Sequence, residues 1–291
     1  MVAAPAPRSS FGLPPSTMLD RPASSARFGR LLLTGAAGII GRDLRLRLAR
    51  HCDTLRLSDR RDFGATGPGE EIVIAALEDA QAMKTLLEGV DAVVHMGGVS
   101  TEQPWSQILP GNIVGAYNVY EAARANGVRR IVFASSNHVT GFYRQDEVVA
   151  PDDPVRPDGL YGLSKAFGEN LGRLYWDRYG IEPVFLRIGS SLPEPQDRRH
   201  LATWLSLDDT ERLVVAALTA PLVGHSVIYG MSDNATSFWD NSRAAHIGYR
   251  PQDRSDAFRD ALEARQQRID IDDPTAVYQG GAFVRIGPFD E

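Results

Sequence analysis

The chain has 291 residues, 43% of them hydrophobic, enough for one sizeable core with a small appended lobe. A formal net charge of −6 argues against a nucleic-acid or acidic-membrane partner, and the single Cys52 excludes an intrachain disulfide and suits a reducing cytoplasm. No stretch approaches the roughly 18 uninterrupted apolar residues of a membrane span, and the six histidines and one cysteine show no metal-ligand spacing, so no metal is expected.

Residues 1–28 are rich in Ala, Pro and Ser without a continuous apolar run, which reads as a disordered N-terminal extension rather than a signal peptide. Arg30 to Thr34 then forms a short apolar run, expected as a buried parallel strand. It leads into Gly35-Ala36-Ala37-Gly38-Ile39-Ile40-Gly41, after which Leu44, Leu46 and Leu48 alternate with arginines in a helical pattern. Strand, glycine turn and helix direct free N–H groups and a positive helix end at a pyrophosphate. One glycine permits the tight turn, one the approach of the phosphate, and one the packing of helix on strand. Gly35, Gly38, Ile39, Ile40 and Gly41 are therefore candidate dinucleotide contacts. Such a turn also occurs without a ligand, and Asp59 adds the weight it lacks. It ends a second strand, Leu55 to Ser58, about 20 residues further on, where a carboxylate binds the adenosine ribose. A negative charge there repels the extra phosphate of NADP, so NAD is favoured, although Arg60 and Arg61 oppose that preference.

A third strand is expected at Ile72 to Leu77, a helix at Ala80 to Leu87 and a fourth strand at Ala92 to His95. Gly97, Gly98 and Val99 follow and offer close backbone approach along the cofactor. A helix from Ile108 to Asn126 carries Asn112, read either as a helix cap or as the holder of a proton-relaying water. The strand Arg130 to Ala134 runs into Ser135-Ser136-Asn137-His138, at the carboxyl end of a parallel strand, where open α/β sheets bind ligands. Ser136 can hydrogen-bond a substrate oxygen there. The next helix, Leu160 to Tyr179, carries Tyr161 and Lys165, four residues apart and so on one face. A phenol with a pKa of about 10 is a poor base, but a lysine ammonium and a cationic nicotinamide both favour phenolate. The same spacing occurs in a packed tyrosine with a solvated lysine; joined to a dinucleotide turn, it implies hydride transfer at an alcohol or carbonyl. A strand at Val184 to Ile188 leads to Ser190, and helices are expected at Asp209 to Ala220 and Ser255 to Gln267. This order predicts an α/β fold with a Rossmann-type doubly wound parallel sheet and a small C-terminal substrate lobe. Residues 29–189 would form the NAD-binding domain with the catalytic residues, and residues 190–291 the lobe and tail.

The glycine turn, Asp59, Asn112, Ser136, Tyr161 and Lys165 together make the chain resemble an extended short-chain dehydrogenase/reductase. Longer strings make it similar to the bacterial uronate dehydrogenases: Ser135-Ser136-Asn137-His138, Arg156 to Gly162, Phe167 to Leu171, Arg187 to Ser190, Pro193-Glu194-Pro195, Thr203-Trp204, Trp239 to Ser242 and Gln279-Gly280-Gly281 before Phe283-Val284. The resemblance implies NAD-dependent oxidation of a free uronic acid at C1 to an aldarolactone, with Tyr161 as base assisted by Ser136, Lys165 and Asn112. It also assigns substrate contacts to Ser100, Ser136, Asn137, His138, Tyr161, Ser190 and Arg199. A guanidinium suits a substrate carboxylate, although on composition alone a loop arginine such as Arg199 is a solvated surface charge. A homo-oligomer is expected. Many relatives carry an acidic residue where this chain has Ala76, so adenine recognition falls to the backbone near Leu77 or to Glu78 or Asp79. Two other readings stand beside this one. A nucleotide-sugar epimerase or dehydratase is opposed by the short lobe, and a non-catalytic NAD-binding regulator by the intact Tyr161 and Lys165.

Overall fold

The first strand, β1 (Phe28–Thr34), starts two residues before the apolar run that announces it. The structure is a computed structural model and describes residues 27–265, 272–287 and 289. Of the expected N-terminal extension, residues 1–26 therefore lie outside the described residues. After β1 come α1 (Ile39–Leu48), β2 (Cys52–Asp59), β3 (Glu70–Ile74), α2 (Ala80–Leu86), β4 (Ala92–His95), α3 (Trp105–Ile108), α4 (Gly115–Asn126), β5 (Arg130–Ser136) and α5 (Leu160–Tyr179). The chain continues through β6 (Glu182–Ile188), β7 (Ser190–Ser191), α6 (His200–Thr203), β8 (Trp204–Leu205), α7 (Leu207–Thr219), β9 (Ser226–Gly230), α8 (Arg259–Arg265) and α9 (Pro274–Val277). Seven strands form one sheet in the order β3-β2-β1-β4-β5-β6-β9, every pair parallel. This is the doubly wound Rossmann arrangement. No helix among the described residues is long and apolar enough to cross a membrane.

Alternation along the strands builds a core on each face of the sheet. Leu31 and Leu33 of β1 pack with Leu44 and Leu48 of α1 and Leu213, Val214 and Ala217 of α7. Leu32 points the other way, among Met83 and Leu86 of α2, Val119 and Tyr120 of α4, and Tyr175 of α5. Helix α5 lies close to the sheet because it is glycine where they meet: a β-carbon at Gly168 would come within 2.8 Å of the Phe133 ring of β5, and one at Gly172 would overlap the Phe185 ring of β6. A buried charge pair fastens the same helix to the sheet. Glu169 accepts from Arg187 Nε and Nη2 at 3.0 and 2.8 Å and from Ser135 Oγ at 2.6 Å, while Arg187 Nη1 donates to the Tyr229 hydroxyl at 3.1 Å.

Several expectations need correction. Leu46 is 81% exposed, since a residue two positions from Leu44 cannot share its helix face, whereas Leu48 can. The third strand stops at Ile74 rather than Leu77. The helix expected over Ile108 to Asn126 starts at Trp105 and is broken by a π turn over Leu109–Val114. Residues 190–291 are not all lobe, because β9 returns to the sheet beside β6 and α7 packs against its face. A five-residue strand after a glycine is easily passed over in a stretch without clear periodicity. The helix expected over Ser255 to Gln267 opens as a 3₁₀ turn at Ser255–Phe258 before α8, and residues 266–267 lie outside the described residues.

Candidate active site

Strand order reverses between β1 and β4, so the chain leaves their carboxyl ends in opposite directions and opens a crevice. From that crevice a cavity of about 950 Å³ extends to the loops after β6. Its first end is largely backbone. Gly35 has a φ of +70°, and a β-carbon there would sit 2.6 Å from the Met96 carbonyl. At Gly41 a β-carbon would overlap the Gly35 oxygen, so only glycine lets α1 start this close to the turn. Helix α1 begins after Gly38 with no capping side chain, which leaves its N-terminal N–H groups for a ligand, with Ile39 and Ile40 lining the cavity beside them. Asp59 Oδ2 accepts from the Ala37 N–H at 3.1 Å and Oδ1 from the Arg61 N–H at 3.2 Å, so its carboxylate joins the turn to the end of β2. Glycine turn, open helix end and carboxylate fit a dinucleotide.

Leu77 also lines this end, and Asn118 Nδ2 holds its carbonyl at 2.9 Å. Of the two acidic candidates for adenine, Glu78 lines the cavity and Asp79 does not: it caps α2 by accepting from the Ala82 N–H at 2.9 Å. Gly97, Gly98 and Val99 form the opposite wall. Asn112 is neither a helix cap nor a cavity residue. Its Oδ1 accepts from the Val99 N–H at 2.7 Å, and its Nδ2 donates to the Val99 carbonyl at 3.0 Å and to Ser164 Oγ at 2.8 Å. Both amide protons are thus committed, and the side chain holds the wall in place. Gly98, at φ +119°, makes room for it, because a β-carbon there would lie 2.7 Å from Oδ1. A water relay through Asn112 would have to use its carbonyl oxygens.

Tyr161 and Lys165 stand one turn apart on α5, 7% and 5% exposed, with Lys165 Nζ 5.6 Å from the tyrosine ring. Burial pushes the phenol up to about 12, against a bond from Ser136 that lowers it, and the Asp158 charge raises it further. Burial also pushes Lys165 down to about 8. Protein groups alone therefore do not acidify the phenol as the spacing suggests, because desolvation outweighs the Ser136 bond. Ser136 Oγ accepts from the His138 N–H at 3.2 Å. Glu102 holds the start of α5, accepting from the Leu160 and Tyr161 N–H groups at 2.8 Å each.

Beyond Tyr161 the cavity is lined by Ser100, Asn137, His138, Ser190, Arg199 and Phe283. Arg199 Nε donates to the Gln279 carbonyl at 2.6 Å, and Nη1 lies 3.5 Å from Ser190 Oγ. With its amide turned so that both ends are satisfied, Asn137 accepts from Arg199 Nη2 at 2.8 Å and donates to the Ile188 carbonyl at 3.0 Å. Among the described residues no carboxylate lies within ion-pair distance of Arg199, and burial lowers the stability of its charge. Neighbouring Arg198 instead reaches the Glu263 carbonyl at 3.4 Å, outside the cavity. One cavity thus gathers the predicted site residues other than Asn112 and the alternative adenine contact Asp79.

Sequence reasoning assigned no role to Glu102, Asp158, Gln279 or Phe283. Asp158 Oδ2 lies 2.6 Å from His138 Nδ1, and the Phe283 ring stacks on His138 at 3.8 Å. An Asp-Gly pair before a helix signals only a turn or cap, and nothing local points from Gln279 or Phe283 to a loop more than a hundred residues away.

Residues 31–221 match the model of the NAD dependent epimerase/dehydratase family. The chain is 56% identical to a uronate dehydrogenase of Pseudomonas putida over 263 residues, which cover 90% of this chain and 98% of that one. It belongs to this family, in the uronate dehydrogenase branch. Solved structures agree. A mutant uronate dehydrogenase from Agrobacterium tumefaciens complexed with NAD is 48% identical with a TM-score of 0.88, covering 91% of this chain and 100% of that one. A glucuronic acid dehydrogenase from Chromohalobacter salexigens is 50% identical with a TM-score of 0.87, over 89% and 97% of the two chains. Membership of this branch makes the chain an NAD-dependent oxidoreductase.

Proposed function

We propose that the chain oxidises free hexuronic acids, D-glucuronate and D-galacturonate, at C1, with hydride passing to NAD and an aldarolactone as the product. The observation that carries this reading is Arg199, a guanidinium drawn into the cavity with no carboxylate of its own among the described residues. A half-buried, largely desolvated cation with no counter-ion among the described residues is unfavourable, and a substrate carboxylate held by Arg199, with Ser190 and Asn137 beside it, relieves that imbalance. Tyr161 and Ser136 line the same cavity nearer the glycine turn, which suits a sugar with C1 at one end and its carboxylate at the other.

Bound NAD supplies the hydride acceptor and a positively charged ring. Tyr161 takes the proton of the C1 hydroxyl on its phenol oxygen, and Ser136 orients that hydroxyl by a hydrogen bond. Bringing a phenol from about 12 to neutrality takes about 7 kcal/mol of added preference for phenolate. Lys165, when protonated, contributes to it as a nearby positive charge. Residues 29–189 supply the cofactor site and the catalytic groups, and residues 190–291 supply Ser190, Arg199 and the loops around them. We place the enzyme in the cytoplasm, as a homo-oligomer. The exposed Tyr117 of α4 and Leu163 and Leu174 of α5 favour self-association, and the net charge of −6 disfavours nucleic acid as a partner.

NADH absorbance, followed across free uronates, the matching neutral sugars and UDP-sugars, tests the reading. Free uronates should be oxidised far better than glucose or galactose. Comparable rates on neutral sugars, or turnover of UDP-sugars alone, would sink it.

A further inference from the structure

Beside Tyr161 lies a buried carboxylate that the mechanism above does not use. Asp158, in the turn before α5, has its side chain fully out of solvent, and its Oδ2 lies 2.6 Å from His138 Nδ1. Among the described residues Oδ1 meets no hydrogen-bond donor. The chain makes unusual room for this group. A β-carbon at Gly141 or at Gly280 would overlap Oδ2, and one at Gly162 would press to 3.3 Å on Oδ1. Glycines from the turn after β5, from α5 and from the C-terminal loop so surround a single carboxylate. Burying a carboxylate is unfavourable, and the only side chain bonded to this one among the described residues is the imidazole of His138.

That imidazole is fixed on its other sides as well. The Phe283 ring stacks on it at 3.8 Å and 21°, and the Tyr161 ring meets its edge at 5.8 Å. His138 lines the cavity, and with Nδ1 committed, Nε2 has no bond from the described residues.

We propose that Asp158 is a positioning residue: it accepts the Nδ1 proton of His138, leaves Nε2 as a hydrogen-bond acceptor facing the substrate, and thereby selects a sugar with a ring hydroxyl at that place. A neutral imidazole has one donor and one acceptor, and an ionised carboxylate can only accept, so the partner on Nδ1 decides what Nε2 offers. The inference rests on the uronate reading, in which ring hydroxyls lie between Tyr161 and Arg199, along the wall that His138 lines.

Two measurements on the full chain test it. Ring ¹⁵N shifts, assigned with a His138→Gln variant, should show His138 protonated on Nδ1, and Asp158→Asn should move the proton at least partly to Nε2, since an amide can donate as well as accept. In steady-state kinetics Asp158→Asn should lower kcat/KM for the uronate about tenfold to a hundredfold, mostly through KM, with the NAD dissociation constant unchanged. Among 2-, 3- and 4-deoxy uronates, one should lose a similar factor with the wild-type chain and little more with Asp158→Asn. If that variant does not fold, His138→Gln takes its place in the deoxy comparison. A wild-type ring protonated on Nε2, or deoxy penalties equal in wild type and variant, overturns the proposal. A wild-type chain that ignores uronates yet shows the Nδ1 proton overturns the uronate reading and leaves the positioning of His138 by Asp158 standing.

Discussion

At the cofactor end of the cavity the walls are largely backbone, carried by β1, α1 and the loop after β4, whereas at the proposed substrate end side chains from several distant stretches line the cavity. The first end is short-range in construction: the turn closes through the Gly38 N–H on the Gly35 carbonyl at 3.0 Å. The second end hangs on long connections. Gln279 accepts from Arg199 on its carbonyl and from Trp239 Nε1 on its side chain, and its Nε2 donates to the Arg144 and Glu147 carbonyls. Cofactor geometry should therefore tolerate side-chain changes that the substrate end does not. Side chains can differ without moving the main chain, which lets a family keep its cofactor while substrates change.

The largest expected effect tests the footing of the cofactor end. His95, at the tip of β4, is buried with Nδ1 2.8 Å from Thr34 Oγ1, and burial, with the Lys165 charge, holds its pKa down at about 3. The unfolded chain binds a proton at this site below about 6.5 and the native chain does not. Stability is therefore lost as pH falls from about 6.5 to about 3, by about 5 kcal/mol over that window. In denaturant unfolding at a series of pH values His95→Asn should flatten this slope; parallel pH profiles for the two proteins would show that His95 is not buried neutral.

Tyr161→Phe should cut turnover by about 10²–10⁴-fold while NAD binding, read by calorimetry, stays as it was. Near-normal turnover would remove Tyr161 as the base, and lost NAD affinity would break the division between the two ends. Arg199→Met should lower kcat/KM for uronates by roughly 10–150-fold, the equivalent of a charge-assisted bond, again with NAD affinity intact. An equal loss on neutral sugars would mean that the guanidinium supports the loop and does not read a carboxylate. The smallest effect belongs to Asp59→Ala, which should narrow a preference for NAD over NADP by about tenfold, with Arg60 and Arg61 left in place. Equal initial rates with both cofactors in the unaltered chain would show those arginines already prevailing.

What could be read along the chain was short-range. The short apolar runs of the strands, the glycine turn and the four-residue step from Tyr161 to Lys165 depend on neighbours within a turn or a pleat, and they announce a doubly wound sheet with a dinucleotide at its switch point. Asp59 was legible for the same reason, being tied by distance along the chain to a strand end. Tertiary structure decided the rest. It gave Asn112 to the Val99 wall instead of a helix cap and returned β9 to the sheet. It also set Arg199 and Asn137 together and made Asp158 the partner of His138. Each of these outcomes is a contact between residues far apart in the chain, or a burial that follows from one. Local periodicity carries no information about such contacts, because their energy exists only once the sheet has brought the segments into reach.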